Sequence, residues 1–217
     1  MKLLVIRPGP GADATAARVE AAGHQALVMP LFAVDPLAWN APPLMGYDGV
    51  LLTSSNAVRN CGPQLSAFAH LPVYAVGKVT ADAAKTHGLR IGKTGDAGAE
   101  ALLAGLNNCR LLWLAGEDHT EIVAPKSVHI DTHIVYRSAV LPTPAKFIET
   151  AMQADYVMLH SARAAGHFAS LVSETALDKA AICLAALSEN IALAAGSGWK
   201  SVRAAPQPND AALLSCL

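Results

Sequence analysis

Small hydroxyl side chains follow the apolar segment Gly49 to Leu52. Thr53, Ser54 and Ser55 come directly after this predicted strand and directly before a predicted helix. The carboxyl ends of strands in an open parallel sheet are where such sheets bind ligands. Helix capping explains the hydroxyls equally well, and one residue can do both. A nucleophilic serine would need a Gly-x-Ser-x-Gly turn, which this segment lacks.

The segment from Val73 to Gly88 has the pattern of a strand, a tight turn and a helix. Gly77 permits the turn, and Lys78 and Thr80 lie where the helix opens. Free backbone N–H groups and the positive end of a helix favour an anion at such a turn. We therefore expect Gly77, Lys78 and Thr80 to contact an anionic ligand.

A second copy of this pattern lies further along the chain. The segment Ile182 to Trp199 repeats the strand, turn and helix at a constant offset, so that Thr80 falls on Asn190. Ser161 follows an apolar strand in the same way as Ser54. Two copies of one strand-and-helix order predict two similar lobes, and a cleft between lobes is the default place for a ligand.

Tyr136 lies in a segment predicted to be one long strand, residues 127 to 138. Apolar residues recur there with a period of two: Val128, Ile130, Ile134 and Tyr136. On a two-stranded connector with little sheet behind it, the tyrosine would face a cleft, where a phenol can donate a hydrogen bond to a leaving oxygen. An aromatic side chain that seals the connector is the alternative.

The sequence gives little support for a metal site, a nucleotide-binding site or disulfide bonds. His129 and His133 are four residues apart on a predicted strand, without a third ligand nearby, so we expect solvated histidines and no metal. The four cysteines are widely spaced, which indicates buried thiols in a reducing cytoplasm. The Gly-Pro-Gly after the first strand lacks the third glycine of a dinucleotide fingerprint. Glu100 is best explained as a first-turn acid that complements a helix dipole.

The net charge and the hydropathy pattern argue against some classes of binding partner. The formal net charge of -1 argues against nucleic acid and membrane surfaces. The first apolar run, Leu3 to Ile6, is too short for a signal peptide core, so we expect a cytoplasmic protein. We also expect a monomer that binds a small molecule.

Taken in order, the chain predicts an α/β fold with two similar doubly wound parallel-sheet lobes of flavodoxin or Rossmann type. The first lobe is discontinuous, residues 1–34 plus 140–217, and the second, residues 41–128, is inserted into it. A two-stranded β connector, residues 35–40 and 129–139, joins them. A short helix is expected from Thr120 to Lys126.

Several segments, taken in their order along the chain, resemble the uroporphyrinogen-III synthase family: Arg7-Pro8, Leu52-Thr-Ser-Ser-Asn-Ala-Val58, Val73-Tyr-Ala-Val-Gly-Lys-Val-Thr-Ala81, Val135-Tyr-Arg137, Leu159-His-Ser161 and Ala186-Leu-Ser-Glu-Asn190. This resemblance implies a two-lobed enzyme without metal or organic cofactor. Such an enzyme dehydrates the linear hydroxymethylbilane, inverts its last pyrrole ring through a spiro intermediate and closes the macrocycle. The substrate carries many carboxylates, which suits hydroxyls and backbone N–H groups.

The resemblance also implies roles for individual residues. Tyr136 matches the tyrosine proposed to assist departure of the hydroxyl. The positions implied to face the substrate are Arg7, Ser54, Ser55, Gly77, Lys78, Thr80, Ser161, Ser188 and Asn190. Many members read Ile-Gly-Pro-Thr-Thr-Ala where this chain has Ala186-Leu-Ser-Glu-Asn-Ile191, so a glycine is lost and Glu189 is gained near an anionic ligand. The alternative hypothesis is a non-catalytic two-lobed protein that binds a small anion.

Overall fold

The computed structural model describes residues 1–43 and 45–217, which form a mixed α/β protein. Contacts divide the chain into two compact units, Met1–Ala33 with Ala139–Leu217 and Val34–Ser138. Each unit is built on a largely parallel sheet covered by helices. Within the described residues, no helix is long and apolar enough to cross a membrane.

The elements are named in chain order. The strands are β1 (Lys2–Val5), β2 (Gln25–Val28), β3 (Phe32–Pro36), β4 (Gly49–Leu52), β5 (Pro72–Val76), β6 (Arg90–Gly95), β7 (Cys109–Gly116), β8 (Val128–Val140), β9 (Tyr156–Leu159), β10 (Cys183–Ala186) and β11 (Ser201–Ala204). The α-helices are α1 (Gly11–Ala21), α2 (Ser55–Asn60), α3 (Lys78–Thr86), α4 (Ala99–Leu103), α5 (Phe147–Gln153), α6 (Ala162–Glu174), α7 (Glu189–Ala194) and α8 (Asp210–Ser215). Short 3₁₀ helices span Pro63–Phe68 and Lys179–Ala181.

The sheet of the first unit has the strand order β11-β10-β9-β1-β2, with parallel neighbours. Its central strands are buried on both faces, which explains why β1 and β9 are continuous apolar runs rather than alternating ones. From β1 the chain moves to β2 on one side, and from β9 it moves to β10 and β11 on the other. The strand order therefore reverses between β1 and β9.

The sheet of the second unit has the order β3-β8-β7-β4-β5-β6. From β4 the chain moves to β5 and β6, and from β7 it moves to β8 on the other side, all in parallel. The strand order therefore reverses between β4 and β7. Strand β3 runs antiparallel to β8, because Leu141 N–H donates to Leu31 O and Leu37 N–H donates to Val135 O.

The sequence repeat is visible as shared topology. In one sheet β4, β5 and β6 are neighbours and precede α2, α3 and α4, while in the other β9, β10 and β11 are neighbours and precede α6, α7 and α8. The units differ in the segment that follows the remaining central strand. Helix α1 follows β1, whereas residues 117–127 after β7 are irregular. The predicted helix Thr120–Lys126 is wrong, since Pro125 donates no N–H bond and disfavours helical geometry at the residue before it.

Candidate active site

A pocket of about 390 Å³ lies in the second unit, where the carboxyl ends of β4 and β7 meet. This is the point at which the strand order reverses, and open α/β sheets bind ligands there. Residues from two strand ends, one helix and the segment after β7 line it, among them Ser54, Glu100, Gly116, His119, Glu121 and Tyr136.

The base of the pocket is fixed by Trp113. Its indole Nε1–H donates to the Oγ1 of Thr53 at 3.2 Å, and the residue is only 4% exposed. A buried indole normally has a partner for its N–H, and here that partner is the first hydroxyl after β4. Trp113 therefore joins the ends of β4 and β7 directly.

Tyr136 lies flat against Gly116. A Cβ atom added to Gly116 would lie 2.5 Å from Cζ and 2.8 Å from Oη of the phenol, so only glycine leaves room for the ring. The register between β7 and β8 shifts between Ala115 and Gly116, which skips Val135 and places Tyr136 opposite Gly116. Glu117 N–H donates to Tyr136 O at 2.9 Å and closes the strand pair beyond the shift.

The register shift also corrects an expectation. The period of two placed Tyr136 on one face with Val128, Ile130 and Ile134. In the structure Val128, Ile130 and Ile134 pack into one apolar cluster. Tyr136 packs against a different apolar cluster, to which Val135 belongs. Tyr136 also has a strand beside it, because it pairs with Gly116 of β7, so the expectation of little sheet behind it is wrong.

His119 completes the pocket, and the sequence pattern did not single it out. Its Nδ1 lies 2.8 Å from Gly116 O, and a carbonyl oxygen only accepts, so Nδ1 carries a proton. Its ring meets the Trp113 ring edge-on, with centroids 4.9 Å apart and an interplanar angle of 86°. The available signal was its position, three residues after the end of β7.

Of the predicted substrate-binding residues near α2 and α3, Ser54 lines the pocket, whereas Ser55 and Lys78 lie outside it. Ser54 is the helix cap that the sequence predicts, since its Oγ accepts from Asn56 N–H at 3.2 Å, and the residue also lines the pocket. Ser55 lies outside the pocket, and its Oγ accepts from Arg59 at 2.9 Å. Lys78 is exposed and pairs with Asp82.

Gly77 and Thr80 also lie outside the Tyr136 pocket. Gly77 has a φ of 80° at the start of α3, a conformation that favours glycine, and the space around its Cα is open. Thr80 is 5% exposed, which leaves its hydroxyl little access in this structure. The turn before α3 thus presents its backbone rather than this side chain.

The predicted residues of the first unit lie at the ends of β9 and β10. Ser161 caps α6, and its Oγ accepts from Ala164 N–H at 3.2 Å. Ser188 is the residue before α7, and Asn190 is exposed on that helix. These positions correspond, in the repeat, to Ser54 and the turn before α3.

Arg7 belongs to a buried polar network. A Cβ on Gly11 would lie 2.7 Å from Arg7 Nε, and Arg7 Nη1 is 3.3 Å from Thr15 Oγ1. At the centre is the Asp210 carboxylate, with a side chain 7% exposed, which accepts from Thr15 and Arg18 at 2.8 Å and from His160 Nε2 at 3.0 Å.

Burial alone would raise the pKa of Asp210. The hydrogen bonds from His160 and Thr15, together with the positive charges of His160 and Arg7, outweigh burial and hold the pKa well below its usual range. His160 Nδ1 is buried, and within residues 1–43 and 45–217 no hydrogen-bond partner reaches it. The sequence pattern did not predict this network.

Cys61 and the potential metal ligands of the described residues do not form a second reactive centre. Burial raises the pKa of the Cys61 thiol to about 11, which keeps it protonated and inert. In the part of the chain that the structure describes, no three His, Cys, Asp or Glu side chains come together as metal ligands would.

Parallel sheets, each with a reversal point, and a strand-end pocket holding a phenol and an imidazole define an α/β protein that acts on a small molecule. A sequence profile described as "Uroporphyrinogen-III synthase HemD" matches residues 13–215. The chain therefore belongs to the uroporphyrinogen-III synthase family, whose members are cyclising lyases of tetrapyrrole biosynthesis.

Solved structures agree on the fold. The chain is similar to the crystal structure of uroporphyrinogen-III synthetase from Helicobacter pylori 26695, with a TM-score of 0.64, 17% identity and coverage of 99% of this chain and 97% of that one. A mutant uroporphyrinogen III synthase from the extremely thermophilic bacterium Thermus thermophilus gives a TM-score of 0.55, 18% identity and coverage of 99% and 96%. A search among curated proteins found no match.

Proposed function

We propose that Tyr136 assists departure of the hydroxyl group when this enzyme cyclises hydroxymethylbilane to uroporphyrinogen III. The phenol donates a hydrogen bond to the leaving oxygen, which takes up one proton as the carbon–oxygen bond breaks and departs as water. The proton lost from carbon when the macrocycle closes balances the proton taken up. The observation that carries this proposal is the pocket at the ends of β4 and β7, where Tyr136 is held against Gly116.

The charges around this pocket favour the reacting end of the substrate over its carboxylate side chains. Glu100, Asp118 and Glu121 line it, and these acids would repel carboxylates at short range. The same acids stabilise the positive charge that develops on the pyrrole when the hydroxyl leaves. The carboxylate side chains of the substrate then bind elsewhere.

We propose that hydroxyls, backbone N–H groups and cations of both units bind those carboxylates. The candidates outside the Tyr136 pocket are Arg7, Ser55, Gly77, Lys78, Thr80, Ser161, Ser188 and Asn190, whereas Ser54, which lines that pocket, contacts the reacting end of the substrate. Helix starts suit anions because their first N–H groups lack partners in the helix. In this proposal the units act as two similar lobes, joined by β3 and the end of β8, in a monomeric cytoplasmic enzyme.

Selecting the inverted isomer makes a modest energetic demand. Uncatalysed closure gives the unrearranged type I product, so the enzyme chiefly has to hold a geometry in which inverted closure is faster. A product ratio of about one hundred corresponds to about 2.7 kcal/mol of differential stabilisation. A few hydrogen bonds to carboxylates supply that amount.

The test is to supply hydroxymethylbilane to the purified chain and to separate the product isomers by chromatography. We expect the type III isomer in excess over the type I isomer formed without enzyme. Formation of the type I isomer alone, at the uncatalysed rate, would contradict the proposal. Saturable binding of the substrate without turnover would contradict it as well.

A further inference from the structure

We propose that His119 carries the proton of this reaction, giving it to the departing hydroxyl and later taking one back from the closing ring. The inference rests on the proposed role of the Tyr136 pocket. It starts from a geometric observation: a single residue, Gly116, positions both the imidazole and the phenol.

Gly116 holds the two groups by different means. Its carbonyl oxygen accepts the Nδ1–H of His119 at 2.8 Å, and its bare Cα lets the Tyr136 ring lie against the main chain. Both side chains line the pocket of about 390 Å³. A proton carrier and a hydrogen-bond donor that both contact Gly116 can act on one bound oxygen.

The contact with Gly116 fixes which nitrogen of His119 can react. Because Nδ1 donates to a carbonyl, Nε2 is the nitrogen that gains and loses the second proton. The edge-on contact with Trp113, whose own N–H is bound to Thr53, fixes the plane of the imidazole. A histidine that served only as a surface residue would need neither restraint.

The ionisable groups around the pocket are few and can be named. Glu100 comes from α4, Asp118 and Glu121 from the segment after β7, and Tyr136 from β8. Oε1 of Glu100 accepts from Val123 N–H at 3.3 Å, which ties this acid to the pocket wall. Among the residues that line the pocket, His119 is the nitrogen base.

The proton balance closes without any further reactant. Nε2–H of the imidazolium gives its proton to the hydroxyl oxygen that Tyr136 holds, the carbon–oxygen bond breaks with its electron pair on oxygen, and water leaves. After ring inversion and closure, a carbon–hydrogen bond of the last pyrrole breaks, and its electron pair restores the aromatic ring. The released proton returns to Nε2, which regenerates the imidazolium.

The decisive variant is His119→Asn. An asparagine side chain can place its amide N–H where Nδ1–H now lies, so it keeps the donor to Gly116 O and removes the titrating nitrogen. We expect kcat for the type III isomer to fall about a hundredfold, with little change in KM. We expect wild-type activity to fall as rising pH removes the proton of the imidazolium, and we expect this dependence to be absent from the variant.

His129→Asn is the matched control, since it makes the same change at an exposed histidine of β8. It should keep wild-type kcat and the wild-type pH profile. His119→Ala serves as the structural comparison, because it removes both the donor and the base. If His119 merely supports Gly116, His119→Asn will retain activity that His119→Ala loses, and this outcome overturns the proposal.

The same measurements separate this inference from the proposed function. If the wild-type chain yields only the type I isomer, the proposed function is wrong. A wild-type chain that yields the type III isomer, with His119→Asn equally active across the pH range, removes only the role of His119. Melting temperatures of all variants, measured alongside, show whether a loss of activity reflects unfolding, in which case the rates are compared at a temperature at which the asparagine variant is folded.

Discussion

The two units use the reversal point of their sheets in opposite ways. In the first unit, the ends of β1 and β9 are filled by the network of Thr15, Arg18 and His160 around the buried Asp210. In the second unit, the ends of β4 and β7 enclose a pocket of about 390 Å³. The repeat therefore carries a buried polar network at one reversal point and a pocket at the other.

The difference follows from a single segment in each unit. Asp210 and Glu100 hold equivalent places in the repeat, near the starts of α8 and α4. Asp210 meets Thr15 and Arg18, which helix α1 presents, whereas Glu100 accepts the backbone N–H of Val123 from the irregular segment 117–127. A helix after the first central strand closes the reversal point, and an irregular segment leaves it open.

Asp210→Asn should have the largest effect, on stability. Removing the charge of the buried Asp210 carboxylate costs about 3 kcal/mol in the free energy of unfolding, because Thr15 and His160 remain buried without it. Denaturant unfolding at neutral pH measures the loss, with Asp13→Asn on the exposed side of α1 as control. A loss no greater than that of the control would show that the first reversal point is not held by this network.

The same variant carries a pH dependence of defined sign. The pKa of Asp210 is lower in the folded protein than in the unfolded chain, so its stabilisation is present above about pH 4 and is lost as pH falls toward the folded pKa. The wild type should therefore lose its advantage over Asp210→Asn on acidification. Unfolding free energies that stay parallel down to about pH 3 would contradict this.

Tyr136→Phe should have the next largest effect, on turnover. Loss of one hydrogen bond to a developing charge lowers kcat about thirtyfold, or about 2 kcal/mol. Thr80→Ala, at a residue only 5% exposed, should lower kcat less. Initial rates of type III formation check the order, and equal, negligible effects would leave Tyr136 with a structural role.

Gly116→Ala should act through Tyr136. The added Cβ forces the phenol ring to move, and we expect a loss of about tenfold in kcat, or about 1.4 kcal/mol. Combined with Tyr136→Phe, it should add little, because both changes affect one group. Gly105→Ala, whose Cβ meets only the flexible end of Lys93 at 3.4 Å, is the control. Full additivity of the two losses would argue against this coupling.

Glu100→Ala should have the smallest effect, a small change in the free energy of unfolding. It tests most directly the difference between Glu100 and the equivalent Asp210. The exposed carboxylate of Glu100 accepts one long backbone hydrogen bond, so the free energy of unfolding should change by less than about 0.5 kcal/mol. This is a small fraction of the loss expected at the equivalent Asp210. Equal losses in the free energy of unfolding at Asp210 and Glu100 would show that the two reversal points contribute alike to stability.

The sequence predicted most of the regular structure because its signals are local. Glycines and small polar residues mark the turns, and apolar runs of about four residues mark strands buried on both faces, such as β4 and β9. The caps at Ser54 and Ser161 followed from residue type and position. The composition of the segment after β7 permits a helix, but Pro125 disfavours helical geometry at the residue before it, and the segment is irregular.

What the sequence determined by itself was the repeat, the parallel α/β architecture and the group of hydroxyls after β4, since each depends on spacing along the chain. What only the tertiary structure decided was the register shift that turns Tyr136 onto Gly116, the recruitment of His119, and the closing of one reversal point around Asp210. These depend on contacts between residues far apart in the chain or on a one-residue slip between strands. Neither leaves a periodic signal in the sequence.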